Sequence, residues 1–138
     1  MFSFSSLAVV ALASFGAGPN AREINLHIYH ESRGNDWAIG DHKLAHKAYG
    51  PLQIRQLVCD DVNQAYGTKY RAKQCLGNRA LSIEIARKYW LLYATREQLG
   101  REPTSIDRAG IWNGGPKGYR RTATLKYRQD FAKLARER

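Results

Sequence analysis

Glu31 sits where an apolar-periodic stretch stops, inside His30-Glu-Ser-Arg-Gly-Asn35, and its position is chemically unusual. Ile24, Ile28 and Glu31 follow an i, i+4, i+7 spacing, which places a carboxyl group on the same helical face as two apolar side chains. Gly34 supplies a residue that ends such a helix. Burial disfavours a charged carboxylate, and the negative end of the helix dipole pushes the same way, so a raised pKa is expected. A carboxylic acid that keeps its proton near neutral pH can serve as a general acid. The plain alternative is a structural ion pair with Arg33, His30 or a distant arginine.

Other residues could complete a site. Asp36 and Asp41 are the nearest further carboxylates in the chain. His27, His30 and Glu31 stand at i, i+3, i+4, and His42 with His46 could add ligands, but there is no His-Glu-x-x-His. Cys59 and Cys75 are the only cysteines and lack the CxxC spacing of a zinc ribbon or redox motif. They allow one bridge, which would close a loop of about 17 residues and contribute roughly 3 kcal/mol, or else they are two buried thiols. No metal and no cofactor is expected.

These groups need elements to hold them. Asn20 and Glu23 have the form of a capping box for the first helix. From Asn35 to Gln53 no helical period holds, and Gly40, Gly50 and Pro51 punctuate a loop with one or two short strands. Ile54, Leu57, Val58, Val62 and Ala65 form a helical stripe closed by Gly67, followed by a basic loop from Thr68 to Gly77. Asn78 caps the longest helix, expected to run to about Leu99 and stop at Gly100, with Leu81, Ile85, Ala86, Trp90, Leu92 and Tyr93 on a wide apolar face. Thr104 with Asp107 starts a short helix that presents Ile106, Ala109 and Asn113 together, broken by Gly114-Gly-Pro116. Ala123, Tyr127, Phe131 and Leu134 share one side of the last helix. The fold class is mainly α, a helical bundle around a central helix with a small β or irregular segment after the first helix.

The chain has 138 residues, enough for one domain with its own core, and its 43% apolar and 25% charged content excludes a disordered segment. With 22 Lys and Arg against 12 Asp and Glu, the formal charge of +10 favours a polyanionic partner: nucleic acid, an anionic membrane or an anionic wall polymer. Residues 1–21 carry no charged side chain and resemble a signal peptide or hydrophobic anchor, leaving 22–138 as the folded domain. An ordinary buried N-terminal helix is the alternative. Export implies a secreted, periplasmic or cell-envelope location, with membrane contact through residues 1–21 alone.

Four pieces follow in order: Glu31-Ser32 at a helix end, Tyr49-Gly50-Pro51-Leu52-Gln53, Trp112-Asn113-Gly114-Gly115, and Tyr127 in the last helix. This order resembles the lysozyme-like superfamily, specifically the soluble lytic transglycosylase catalytic domains and goose-type lysozymes. In that family a Glu-Ser pair closes the first helix, then come Gly-x-x-Gln, Ala-Tyr-Asn-x-Gly and a later Tyr. The resemblance implies an α+β lysozyme-like domain that cuts the β-1,4 bond between N-acetylmuramic acid and N-acetylglucosamine in peptidoglycan. It implies Glu31 as acid and base, closing a 1,6-anhydro ring, with Ser32, Tyr49, Gln53, Trp112, Asn113 and Tyr127 as substrate-binding residues. Trp37, Tyr49 and Trp112 read more readily as core than as sugar platforms. A hydrolytic lysozyme or endolysin would add Asp36 or Asp41 as a second carboxylate. A basic nucleic-acid-binding module, built on Lys117 to Arg121 with Lys126 and Arg128, is the reading from another class. The leading reading expects a monomer acting on glycan strands without nucleic acid, in a bacterial wall, a phage-lysis or a virion setting.

Overall fold

The computed structural model describes residues 18–138, and all but the last four residues of the expected 1–21 leader lie outside them. No described helix is long and apolar enough to cross a membrane. Two compact units form: residues 24–89, and a second whose described residues are 18–23 and 90–138.

Helix α1 spans Ala21–Ser32. It starts because the Asn20 side-chain oxygen accepts the Glu23 N–H at 2.8 Å. It buries Ile24, Leu26, His27 and Ile28. Its end differs in detail from the expected glycine stop. Arg33 itself takes the left-handed conformation (φ 56°), with Gly34 following at φ 85°. The Arg33 guanidinium lies 4.7 Å from the Tyr29 ring centroid, one turn back along the chain.

The loop that follows holds a two-residue antiparallel pair, β1 (Ile39–Gly40) and β2 (Ala48–Tyr49), with Ile39 opposite Tyr49. Helix α2 (Gln56–Tyr66) ends on left-handed Gly67 as expected. Its inward face is carried by Cys59 and Val62, however, and Leu57 is 73% exposed. A 3-10 turn at Ala72–Cys75 leads to helix α3 (Arg79–Tyr93), whose Leu81 N–H is capped by the Asn78 side chain at 3.1 Å. Ile85, Ala86, Tyr89 and Trp90 are buried, which makes α3 the core helix anticipated. It stops at Tyr93 rather than near Leu99. Thr95 turns its hydroxyl onto the Gln98 N–H and nucleates a separate short helix, α4 (Arg96–Leu99), closed by Gly100.

In the second unit, Thr104 and Asp107 form the expected capping box of helix α5 (Ser105–Gly114). The helix is buried nearly all round, from Asp107 to Trp112, so a single-face reading fails: Ile106 and Asn113 are exposed. Gly110 explains how it packs so closely. A β-carbon there would lie 2.7 Å from the Gly118 carbonyl oxygen, so the following 3-10 turn (Gly118–Arg120) meets α5 backbone to backbone. A further 3-10 turn (Thr122–Thr124) leads into helix α6 (Leu125–Glu137), which buries Phe131; Tyr127 is half-buried and Ala123 is exposed.

The polar centre of this unit is Glu23 with Arg108. The carboxylate accepts from both Nε and one terminal nitrogen, each at 2.7 Å, and the side chains are 10% and 8% exposed. The Arg108 carbonyl also accepts the Trp90 indole N–H at 3.0 Å, and Trp90 packs on Trp112 with ring centroids 5.2 Å apart. Such a pair is strongly destabilising to break because the surviving charge stays buried. Glu23→Gln is expected to lower unfolding stability by about 3–5 kcal/mol, read from the denaturant midpoint; a loss below about 1 kcal/mol would show that the pair is dispensable.

Cys59 and Cys75 are both fully buried and present as free thiols, so the bridge that their spacing allows is not formed here. Burial pushes the Cys59 thiol up to about 12, with the neighbouring Cys75 and Asp60 adding to it. Cys75 is likewise raised by burial, against an opposing hydrogen bond from Ser82. Since the thiolate is the reactive form, neither cysteine should react with iodoacetamide at pH 8 until the protein is unfolded, and both should then react fully. Rapid labelling of the native protein, counted by intact mass, would contradict this packing.

Candidate active site

The residues around Glu31 are held by contacts from side chain to main chain within the 24–89 unit. Ser32 is the first. Its hydroxyl donates to the Pro51 carbonyl at 2.8 Å and lies 3.1 Å from the Ile28 carbonyl one turn back. Glu31, next to it in the last turn of α1, is half-buried. Pro51 belongs to a four-residue loop closed by reciprocal backbone hydrogen bonds between Tyr49 and Ile54, at 2.9 and 3.0 Å. Leu52 and Ile54 are fully buried and anchor that loop.

Gln53 closes the same loop from inside. It adopts a left-handed backbone (φ 53°), and its amide nitrogen donates to the Gly50 carbonyl at 2.9 Å and the Ala38 carbonyl at 3.1 Å. Gly50 sits at φ 80°, and a β-carbon there would lie 2.3 Å from the Cys75 carbonyl oxygen. Only glycine satisfies both demands.

The two candidate carboxylates each meet an arginine that sequence reasoning did not pair with them. Asp36 accepts from Arg79 Nε at 2.8 Å, while another nitrogen of that guanidinium donates to the Gly34 carbonyl. Arg79 therefore clamps the turn after α1. Asp41 follows β1, faces Arg55 at 2.5 Å, and has φ 57°. Arg33, Asp41 and Gln53 are the only non-glycine residues with positive φ among the described residues. All three fall in the segment that begins where α1 ends. Sparsely populated conformations of this kind concentrate at functional sites, and no local sequence signal marks them in advance.

Trp37 is not a core residue, contrary to the sequence reading. It is 68% exposed and lies across Gly77, where an added β-carbon would sit 2.5 Å from the indole ring. Tyr49 is half-buried on β2. The remaining expected site residues belong to the second unit. Trp112 is 9% exposed and packed on Trp90, Asn113 is exposed near the end of α5, and Tyr127 is half-buried on α6.

Among the described residues no cluster of three or more His, Cys, Asp or Glu side chains could hold a metal. His27 is fully buried in α1, while His42 and His46 lie exposed on the loop between the strands. In the basic stretch near the C-terminus, Arg128 donates to Thr124 and to the Arg121 carbonyl, so part of that charge is committed to local structure.

No protein-family model matches the chain, and no curated protein does either. Solved structures do. A chain from the complex of Aeromonas hydrophila PliI with Meretrix lusoria lysozyme aligns with a TM-score of 0.71 at 20% identity, covering 88% of this chain and 95% of that one. Inhibitor-bound lysozyme from Meretrix lusoria gives a TM-score of 0.71 at 19% identity, over 87% and 93%. Tapes japonica lysozyme gives 0.68 at 23% identity, over 83% and 89%. The fold is lysozyme-like. At these identities the likeness speaks for the architecture, an α+β arrangement dominated by helices with one small sheet.

The loop 50–53 yields a direct test of this geometry. Gly67 also has a positive φ but has nothing within 4 Å of an added β-carbon. Gly67→Ala should therefore cost only about 1–2 kcal/mol, the left-handed penalty alone. Gly50→Ala should cost clearly more, because the Cys75 backbone must also move. Equal thermal shifts for the two variants would refute the close approach.

Proposed function

We propose that this chain is a glycosidase that cleaves the β-1,4 bond between N-acetylmuramic acid and N-acetylglucosamine in peptidoglycan, with Glu31 as the proton donor. The reading is carried by one observation: a half-buried glutamate in the last turn of α1, whose neighbour Ser32 is bonded to the Tyr49–Ile54 loop, in a chain of lysozyme-like fold. The carbonyl end of a helix opposes charge on a carboxyl group there, which favours the acid form needed to protonate the leaving oxygen.

The sugar left behind develops oxocarbenium character and needs either a carboxylate or its own acetamido group at the anomeric carbon. Asp41 is the better candidate for a hydrolytic route. Asp36 is occupied in holding Arg79 and the turn after α1. Asp41 is ion-paired as well, to Arg55, but that guanidinium is not also tied to the turn after α1, and Asp41 has the positive φ that Asp36 lacks. In the hydrolytic route water adds to the anomeric carbon while Glu31, now a carboxylate, takes the proton from that water. The solved neighbours are named lysozymes, which supports this branch.

A second reading is the lytic transglycosylase. Here Glu31 removes the proton of the sugar's own C6 hydroxyl and a 1,6-anhydro end results. It draws support from the Glu31-Ser32 pair and the Gly50-to-Gln53 segment being joined as one piece. In either case no metal or cofactor enters the chemistry, and a secreted or envelope location would follow from the substrate.

Glu31→Gln should lower lysis of purified cell walls by about 10²- to 10⁴-fold with an unchanged circular-dichroism spectrum. Undiminished lysis would end the assignment. Mass spectrometry of the released muropeptides separates the branches: reducing ends belong to hydrolysis, anhydro ends to the transglycosylase. Asp41→Asn should abolish only the former.

A further inference from the structure

A cavity of about 500 Å³ opens in the 24–89 unit between β2, α2 and the 3-10 turn at Ala72–Cys75. Lys47, Arg71 and Lys73 line it together with Tyr49, and no aspartate or glutamate does. Most arginines elsewhere in the fold are held by a carboxylate or a backbone carbonyl, as Arg55, Arg79, Arg101 and Arg108 are. The three cations at this cavity are different. All are exposed, and among the described residues none forms an ion pair. Like charges gathered around a concave surface with nothing to neutralise them focus a positive potential into it, and an anionic ligand relieves their repulsion.

The adjoining depression narrows the choice of anion. It shares Ala45, His46 and Gln56 with the first, measures about 340 Å³, and is lined further by Leu44 and Leu57, which are 50% and 73% exposed, and by Arg55 and Asp60, each already engaged, Arg55 with Asp41 and Asp60 by the Gln56 amide. A phosphodiester polymer or nucleic-acid backbone has no use for two leucines beside the cations. A short peptide that carries carboxylates together with small alkyl side chains uses both halves, and the volume lies within the roughly 300–1,000 Å³ usual for ligand clefts.

We infer that the trough formed by Lys47, Tyr49, Arg71 and Lys73, continued by Leu44 and Leu57, binds the acidic peptide stems that branch from the glycan. The inference rests on the proposed glycosidase reading for the source of the peptide. Tyr49 begins the loop that Ser32 ties to α1, so the trough wall and the glutamate's turn belong to one hydrogen-bonded segment. A stem bound here would hold the substituted sugar, and hence the scissile bond, in a set register.

The test is a titration of the full chain with a synthetic stem tetrapeptide, once with free carboxylates and once with them amidated, followed by NMR shifts or calorimetry. The free-carboxylate peptide should bind at least about tenfold more tightly than its amide. Arg71→Glu with Lys73→Glu should remove that preference, and the milder Lys47→Gln should weaken it by a smaller factor. Equal affinity for the two peptides, no saturation at millimolar peptide, or binding untouched by charge reversal would overturn the assignment. Tighter binding of a glycerol-phosphate oligomer than of the peptide would overturn it too, naming a phosphate polymer as the occupant. Peptide binding does not need the glycan to be cut. If walls are cleaved and the peptide fails to bind, the trough alone is misassigned; if the peptide binds and walls are never cleaved, the glycosidase reading falls instead.

Discussion

Everything about the 24–89 unit turns on how closely the loop Gly50–Gln53 can lie against its neighbours. Ser32 reaches Pro51 only because the loop's backbone comes within one hydroxyl length of α1, and Gly50 meets the Cys75 backbone only because it has no side chain. The loop's polar groups are taken up within the loop and by its immediate neighbours. Gly50 N–H and the Gln53 amide both donate to the Ala38 carbonyl, so the first and last residues of the loop share one acceptor. A segment so interlocked has few ways to shift without leaving a buried carbonyl or amide unpaired, which costs more than a typical hydrogen bond returns. That is the physical basis for treating the last turn of α1 as a fixed platform. An acid that must approach a glycosidic oxygen within hydrogen-bond reach needs a platform of this kind, since a displacement of about 1 Å can cost a hundredfold in rate.

Charge is distributed by the same logic. The few carboxylates hold chosen cations: Asp36 takes Arg79, Asp41 takes Arg55, Glu23 takes Arg108 and Asp107 takes Arg101. For Asp107, burial would push the carboxyl up, but hydrogen bonds from Arg101 and from the Thr104 N–H and hydroxyl outweigh it and hold it below the ordinary carboxylate value. Asp36–Arg79 fastens the turn after α1, Asp107–Arg101 a helix cap, and Glu23–Arg108 lies buried. With 22 basic and 12 acidic side chains in the chain, a basic excess is left over, and its placement is where binding specificity can arise.

Much of this was legible beforehand. The caps at Asn20, Asn78 and Thr104 and the stop at Gly67 are local chemistry, so they could be read from residue types alone. The small β pair could be placed because glycines and a proline interrupt the helical period between Asn35 and Gln53. The misreadings have a common cause. The end of α3 at Tyr93 depends on a threonine hydroxyl winning over helix propagation. The exposure of Leu57 and Trp37 depends on what lies opposite them, and the arginine partners of Asp36 and Asp41 lie 43 and 14 residues away along the chain. Apolar periodicity finds a helix but does not say which part of its stripe faces inward. Nor does residue type reveal a positive φ at Arg33, Asp41 or Gln53, since that strain is imposed by the surrounding contacts.

Trp37 shows how the strained segment and the exposed surface are connected. The indole lies over Gly77, and Gly77 N–H donates to the Asp36 carbonyl at 2.7 Å, one residue before the tryptophan. Asp36 in turn is held by Arg79, and the Trp37 N–H is taken by the Asn35 side chain at 2.9 Å. The ring's backing is therefore supplied by glycine backbone and its root is pinned on both sides. An aromatic ring in such a seat keeps much of its surface in water although its sequence neighbours are tied down. Leaving a large apolar face in water is unfavourable, and the Gly77 backbone beneath the indole offsets part of that cost, which a β-carbon at position 77 would prevent.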